Sequence, residues 1–351
     1  MKIVHTADLH LDSPMTARLD PQKTKQRREE LLMNFRGISE RAHLSGASAV
    51  IIAGDLFDSE LTSVRTMRKV SDMIREFSDI AFFYVHGNHE SDSFSSLPDL
   101  PENLYIFGDD WTTYRIGPVT FTGRNTLAPG MFSSLSLPED CRNIVILHGA
   151  AARGDTEIDL RAAAGKNIDY LALGHYHTYS ALEIDRRGTA VYPGTPEGRG
   201  FDECGTKGYV LLNVSPENIS FDFVPFAART LHTIPCDISG CRTHSEIRDR
   251  LSAALADIPR SDLVRAELTG TYFRETHKNI RALEDDMRGR FYCFEIKDSS
   301  RPYIDLESYR SDLSLRGEFV REVMGSDLPD ELKEKIIACG ISALAGEETE
   351  F

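Results

Sequence analysis

SAVIIAGD, residues 48–55, is the stretch that decides the fold. Its apolar run stops at Gly54-Asp55, which reads as a buried strand ending in a loop that carries a carboxylate. The same grammar recurs on both sides. Upstream, KIVH (2–5) reads as a short buried strand that leads into a turn with Asp8 and His10. Downstream, AFFYV (81–85) is another buried strand, ending at Gly87-Asn88-His89. Between these runs the period changes. Leu31, Phe35, Ile38 and Ala42 fall at helical spacing within 25–43, and Val64, Met67, Val70, Ile74 and Phe77 line one face of 64–77. The order is strand, helix, strand, helix, strand, with polar residues just past each strand's C-terminal end. Open α/β sheets place their ligands there.

After residue 100 the pattern turns to short strands with few long helices: 104–107, 112–115, 118–123, 143–147, 169–173, 181–184, 189–192, 209–214 and 219–224. A second, largely antiparallel sheet is expected from them. Pro225–Thr230 looks like a boundary. Beyond it, strands at 230–234, 263–268 and 291–297 alternate with helical segments near 243–257 and 275–287, which suggests a small α/β domain. A polar helical stretch covers 328–346. The expected division is a catalytic domain over 1–228, a smaller α/β domain over 229–300 and a partly helical tail over 301–351.

Composition narrows the class. The 351 residues are 41% hydrophobic and 27% charged, enough for an ordinary core. No run of 18 apolar residues occurs, so no helical membrane span is expected. MKIVHTADLH lacks the basic-then-apolar pattern of a signal peptide. The cysteines at 141, 204, 236, 241, 293 and 339 are scattered, as suits reduced thiols in a cytoplasmic protein. The net charge of −15 argues against a general nucleic-acid coat, whose affinity comes from Lys and Arg on phosphate. It leaves room for an enzyme whose cations supply positive charge locally.

Five segments carry the chemistry: Asp8-Leu9-His10, Gly54-Asp55, Gly87-Asn88-His89-Glu90, His148-Gly149 and Gly174-His175-Tyr176-His177. They hold five of the eleven histidines, and each follows an apolar run. Carboxylate, imidazole and amide donors together suit manganese, iron or zinc. No cysteine lies among them, which speaks against a structural zinc site. In extended chain, residues i and i+2 point the same way, so Asp8 and His10 could face one cation. His175 and His177 could do likewise, or face different cations. Asp55 is the natural bridge, as the single carboxylate of its segment.

The ordered set D-x-H, GD, GNH[DE], H and GH-x-H resembles the calcineurin-like metallophosphoesterase superfamily across residues 8–177. HTADLHLDSP (5–14) and YPGTPEGRG (192–200) resemble its DNA-repair exonuclease branch of SbcD- and YhaO-like nuclease subunits. Asp12 stands where the SbcD-like members usually have glycine, so YhaO-like members are the nearer analogy. The resemblance implies a four-layer αββα sandwich with a smaller α/β capping domain. It implies two divalent metal ions, Mn2+ foremost with Fe2+ or Zn2+ as alternatives. One would be held by Asp8, His10, Asp55 and His177, the other by Asp55, Asn88, His148 and His175. His89 would contact the scissile phosphate and help the leaving group depart. Such a pair, about 3.5–4 Å apart, activates water and clamps an in-line displacement. DNA as substrate, exonuclease or endonuclease action, a homodimer and an SMC-like ATPase partner are further implications. Two other classes compete: a phosphodiesterase for small phosphoesters or cyclic nucleotides, and a non-catalytic subunit of the ATPase complex.

Blander roles stand beside several residues. His5 and His86 read as buried supporting histidines rather than ligands. Glu90 reads as loop support, and Asp12 as a turn cap or a contact at the margin of the site. Cys236, Cys241 and His244 lack a fourth zinc ligand. Lys23, Lys25, Arg27 and Arg28 could touch a DNA backbone or form a solvated helix face. Of Arg124 and Arg199, both in glycine-containing loops, Arg199 is the better candidate for phosphate contact.

Overall fold

The computed structural model describes residues 1–15, 17–58, 62–88, 94, 97–154, 156–273, 276 and 278–344. They form two compact units, residues 1–231 and the described residues from 232 onward. His89 and Glu90 lie outside the described residues.

In the first unit, β1 (Lys2–Thr6), α1 (Pro21–Leu44), β2 (Ala47–Ala53), α2 (Val64–Glu76), β3 (Ala81–Val85) and β4 (Leu104–Ile106) follow the expected alternation. Asp20 caps α1 by accepting from the amides of Gln22 and Lys23, and Pro21 opens the helix. Ser63 caps α2 by accepting from Thr66 N. Next come β5 (Thr112–Ile116), β6 (Val119–Gly123), β7 (Arg142–His148), β8 (Ala151–Ala152), β9 (Ile158–Asp159), α3 (Leu160–Ala163), β10 (Tyr170–Gly174), β11 (Ser180–Glu183), β12 (Thr189–Tyr192), β13 (Gly208–Val214) and β14 (Ile219–Pro225).

Two six-stranded sheets result, in the orders β14-β13-β1-β2-β3-β4 and β11-β12-β10-β7-β6-β5. The second sheet differs from the expected antiparallel one. Its centre, β12-β10-β7-β6, is parallel, and only its edge strands β11 and β5 pair antiparallel. The cause is visible in NIVIL (143–147) and YLAL (170–173), which are apolar on both faces as interior parallel strands are. The strands at 209–214 and 219–224 instead complete the first sheet, antiparallel beside β1.

Strand alternation sorts the cores. On β2, Val50 and Ile52 pack with Leu31, Phe35, Ile38, Met67, Val70 and Ile74 of the helices. Ala49, Ile51 and Ala53 face the second sheet, among Ile144, Ile146, Tyr170 and Ala172. Phe83 of β3 stacks on Phe121 of β6 with centroids 4.1 Å apart, joining the sheets at this core. Val145, Leu147, Leu171 and Leu173 bury the outer face under Met131, Phe132, Leu160 and Ala163. The layers are therefore helix, sheet, sheet, helix, with a thin last layer made of one-turn α3 and a 3-10 turn at Met131–Ser133.

The second unit contains β15 (Leu231–Asp237), α4 (His244–Ala254), β16 (Leu263–Thr269), β17 (Thr271–Tyr272), α5 (Ile280–Met287), β18 (Cys293–Asp298), β19 (Arg301–Pro302), α6 (Leu315–Gly325) and α7 (Asp330–Leu344). Its main sheet runs β15-β16-β18, and α4 and α5 pack Ile247, Leu251, Leu283 and Met287 into its core. Cys236 and Cys241 lie in that core as buried thiols. Among the described residues, no helix is long and apolar enough to cross a membrane.

Candidate metal centre

The candidate residues sit just past β1, β2, β3 and β10 and at the last residue of β7. These are the C-terminal ends of parallel strands in both sheets. Face-to-face packing brings the two sets of ends together. The chain leaving β1 bonds the chain leaving β2, through Asp8 N to Gly54 O at 3.1 Å and His10 N to Asp55 O at 2.9 Å.

Asp8 and His10 do not face the site through extended chain, as strand spacing had suggested. Their φ angles are 53° and 46°, and Asp55 and His175 have 49° and 117°. Left-handed backbone at a non-glycine residue costs of order 1–2 kcal/mol, and such strain concentrates at functional sites. Glycines make room around these turns. A Cβ at Gly87 would overlap the Asp55 carboxylate, and one at Gly174 would overlap the Ala53 carbonyl and crowd His148.

The floor is buried and the rim is open to solvent. Asp8, His10, Asp55 and His148 are buried, His175 and His177 are half-buried, and Asn88 is exposed. Two triads converge there: Asp8, His10 and His177, and Asp8, Asp55 and His148. In each, the candidate donor atoms lie within 4.8 Å of one another, a spacing one divalent cation can span. Oδ2 of Asp55 faces both sides, 3.6 Å from His10 Nε2 and 3.4 Å from His148 Nε2. Asn88 Oδ1 is 2.8 Å from His148 Nε2 and 3.4 Å from His175 Nδ1. His175 and His177 thus diverge, one toward Asn88 and the other toward His10, whose Nε2 faces His177 Nε2 at 3.2 Å.

Groups behind the histidines orient them. Nδ1 of His148 donates to the Ala53 carbonyl at 2.9 Å, and Nδ1 of His177 donates to Glu203 Oε1 at 2.7 Å. Nδ1 of His10 lies 3.2 Å from Asp58 Oδ1. Each arrangement leaves Nε2 aimed into the site. The electrostatics agree with a cation position. Burial raises the Asp8 carboxyl to about 6. Burial pulls His148 down, but its hydrogen bond and charge interaction with Asp55, and the charge of Asp8, outweigh this and hold it at about 9. Burial lowers His10 and His175, which suits neutral imidazole ligands, and the mix of buried carboxylates and imidazoles fits divalent metal ions. A cleft of about 710 Å³ opens on the Asn88, His148 and His175 side, with Asp109, Thr126 and Glu157 also in its walls.

Asp58 and Glu203 escaped the sequence reading. Neither stands in a metal motif, and a carboxylate three residues after Asp55 or in a Gly-rich loop has no distinguishing spacing. Arg199, expected to reach phosphate, spends its fork on these two side chains. Nη1 donates to Asp58 Oδ1 at 2.9 Å, and Nη2 donates to Glu203 Oε1 at 2.6 Å. Arg124 lies over the Trp111 ring, 5.5 Å from its centroid. Asp12 accepts from Ser63 N and Oγ, tying the first loop to the start of α2. The basic cluster corrects both of its expected roles at Arg27, which is buried and paired with Glu197 at 2.6 Å. His5 is buried and bonds Tyr170 OH at 2.9 Å, and the amide of His86 donates to Asn125 Oδ1 at 2.9 Å.

Residues 1–179 match the model of the calcineurin-like phosphoesterase family. The chain belongs to that family. As a calcineurin-like phosphoesterase it is similar to the DNA double-strand break repair protein Mre11 of Methanosarcina acetivorans, 25% identical over 74% of this chain and 44% of that protein. It is also similar to the metallophosphoesterase YhaO of Bacillus subtilis, 26% identical over 64% of this chain and 60% of YhaO. The phosphoesterase chain therefore spans about half the length of these relatives. Among solved structures, a dimetal phosphatase from Danio rerio matches at 11% identity and TM-score 0.42, covering 64% of this chain and 99% of that one.

Proposed function

We propose that this phosphoesterase is a two-metal DNA phosphodiesterase of DNA repair, acting as an exonuclease or endonuclease. The observation that supports the phosphodiester part is the convergence of donors on both sides of Asp55 Oδ2, 3.6 Å from His10 Nε2 and 3.4 Å from His148 Nε2, at the ends of strands from both sheets. Asp8, His10, Asp55 and His177 would hold one divalent cation, and Asp55, Asn88, His148 and His175 the other, most suitably Mn2+ with Fe2+ or Zn2+ as alternatives. Two such cations supply Lewis acidity and a nucleophilic water near neutral pH. The chain's own part is to fix this pair. The strained turns hold Asp8, His10, Asp55 and His175, the buried floor excludes bulk water, and the Asn88 side opens to the cleft. His89 is proposed to contact the scissile phosphate and protonate the leaving oxygen.

DNA is supported by the similarity to a DNA double-strand break repair protein, a homodimer and an SMC-like ATPase partner by the motif resemblance, and a cytoplasmic location by the scattered cysteines. Purified protein with Mn2+ should shorten linear DNA. Asp8→Ala should abolish this, and His89→Ala should slow it by about 100-fold or more, the usual worth of a general acid. Intact DNA across several metals, with and without the ATPase partner, would end the DNA reading. The net charge of −15, ill suited to a long polyanion, motivates a second reading in which the substrate is a small phosphodiester or cyclic nucleotide. A higher kcat/KM for small diesters than for oligonucleotides would select it. Wild-type protein unable to take up metal would point instead to a non-catalytic subunit.

A further inference from the structure

The proposed cation position between His10 and His177 is backed by a closed circuit of side chains that the reaction does not itself require. From His10 Nδ1 the path runs 3.2 Å to Asp58 Oδ1, then 2.9 Å to Arg199 Nη1. From Arg199 Nη2 it runs 2.6 Å to Glu203 Oε1, then 2.7 Å to His177 Nδ1. It closes across the site, where the two Nε2 atoms face each other at 3.2 Å. Arg199 also fixes Glu203 through Nε at 3.1 Å and through its own amide, which donates to Oε2 at 2.7 Å. Its side chain is only 14% exposed. Lys207 Nζ donates to the His177 carbonyl at 2.7 Å and anchors the backbone of the same residue.

The other cation position is supported differently. His148 Nδ1 donates to a neutral carbonyl, Ala53 O, at 2.9 Å, with Asp8 Oδ1 farther off at 4.0 Å, and His175 Nδ1 faces Asn88 Oδ1, itself a proposed ligand, at 3.4 Å. A carboxylate behind an imidazole raises the basicity of the nitrogen that faces the metal and fixes the ring's tautomer, whereas a carbonyl does less of the first. Two such carboxylates beside one another would repel. A guanidinium fork is the group that can neutralise and orient both at once.

We propose that Arg199 is a positioning residue which, through Asp58 and Glu203, locks His10 and His177 toward one cation and makes that position the tighter of the two. The inference rests on the two-cation reading above. It gives Arg199 a role behind the ligands rather than on the substrate, and it makes occupancy of the His148/His175 side the step that responds to metal supply.

Metal stoichiometry after equilibrium dialysis, together with Mn2+ electron paramagnetic resonance, tests it without any activity measurement. In an Asn88→Ala background the retained ion is the one at His10 and His177. Adding Arg199→Gln should weaken that ion by about 10- to 100-fold, the usual effect of losing an outer-shell partner. In a His10→Ala background the retained ion is the other one, and Arg199→Gln should change its affinity by less than about 2-fold. In the otherwise wild-type chain, Arg199→Gln should convert a spin-coupled Mn2+ pair to a mononuclear signal at concentrations that fill the wild type. Arg199→Lys, which keeps the charge but not the fork, should fall between. Melts of the metal-free proteins confirm folding. Should Arg199→Gln not fold, Asp58→Asn carries the same test at a side chain 22% exposed. Equal loss in both backgrounds, or no loss in the Asn88→Ala background, overturns the inference. A wild type that never binds two ions overturns the reading beneath it instead.

Discussion

Arg27 lies two turns into α1 among basic residues that would ordinarily face water, yet it is 1% exposed. Its guanidinium bonds Glu30, Glu197 and the Gly198 carbonyl. Glu197 in turn accepts from the Ala228 amide at 2.6 Å and from Asn34 Nδ2 at 3.3 Å. The 192–200 segment is thereby tied to the first helix, two residues before Arg199. Removing one partner of such a buried pair leaves the other charge unsatisfied, so Arg27→Met should lower the unfolding free energy by about 3–5 kcal/mol. Arg36, which pairs with Glu76 on the surface, is the control. Arg36→Ala should leave the urea midpoint unmoved within error. Equal effects of the two substitutions would show that Arg27 contributes no more than a solvated pair. The contrast also marks what residue types alone conceal. The convergence of the candidate ligands was legible because glycine, carboxylate and histidine recur in order after apolar runs. Arg27, Asp58, Glu197 and Glu203 were not, because each meets its partner only after distant loops converge.

At the scale of elements, His5 on β1 and Tyr170 on β10 form a polar contact inside the core between the sheets. Burial pushes the His5 imidazole down to about 3, against an ordinary value of 6.5. The folded chain thus refuses a proton that the unfolded chain accepts. The stability this neutral histidine contributes is fully present above pH 6.5 and falls as pH drops toward 3. The slope is at most about 1.4 kcal/mol per pH unit. Denaturant titrations in chelator at pH 7, 5.5 and 4.5 should show His5→Gln losing less stability on acidification than wild type. Parallel losses would mean that His5 titrates normally. The elements themselves were readable to different depths. The helical period placed α1 and α2, and apolar runs placed β1, β2 and β3. The pairing within the second sheet was hidden, because β6, β7, β10 and β12 meet across connections whose length does not state their order. In the second unit, α6 begins where the sequence suggested only a partly helical tail.

The whole molecule divides so that the seven candidate ligands and three of its cores lie within residues 1–231. A chain ending at Leu231 should therefore keep a cooperative unfolding transition and take up Mn2+. Calorimetry and dialysis measure both, and a molten product that binds no metal would show that the first unit depends on the second. Its left-handed turns carry a further consequence. Asp8, His10, Asp55 and His175 hold unfavourable backbone angles around the Asp8 carboxyl, which burial pushes up to about 6. A resident ion relieves the charge and makes the turns worth holding, and ion binding to the folded chain alone adds about 2.7 kcal/mol at a hundred times its dissociation constant. Ions held there would be part of the folding equilibrium as well as of the proposed reaction, and the protein's endurance to heat would gauge how well it is supplied with metal.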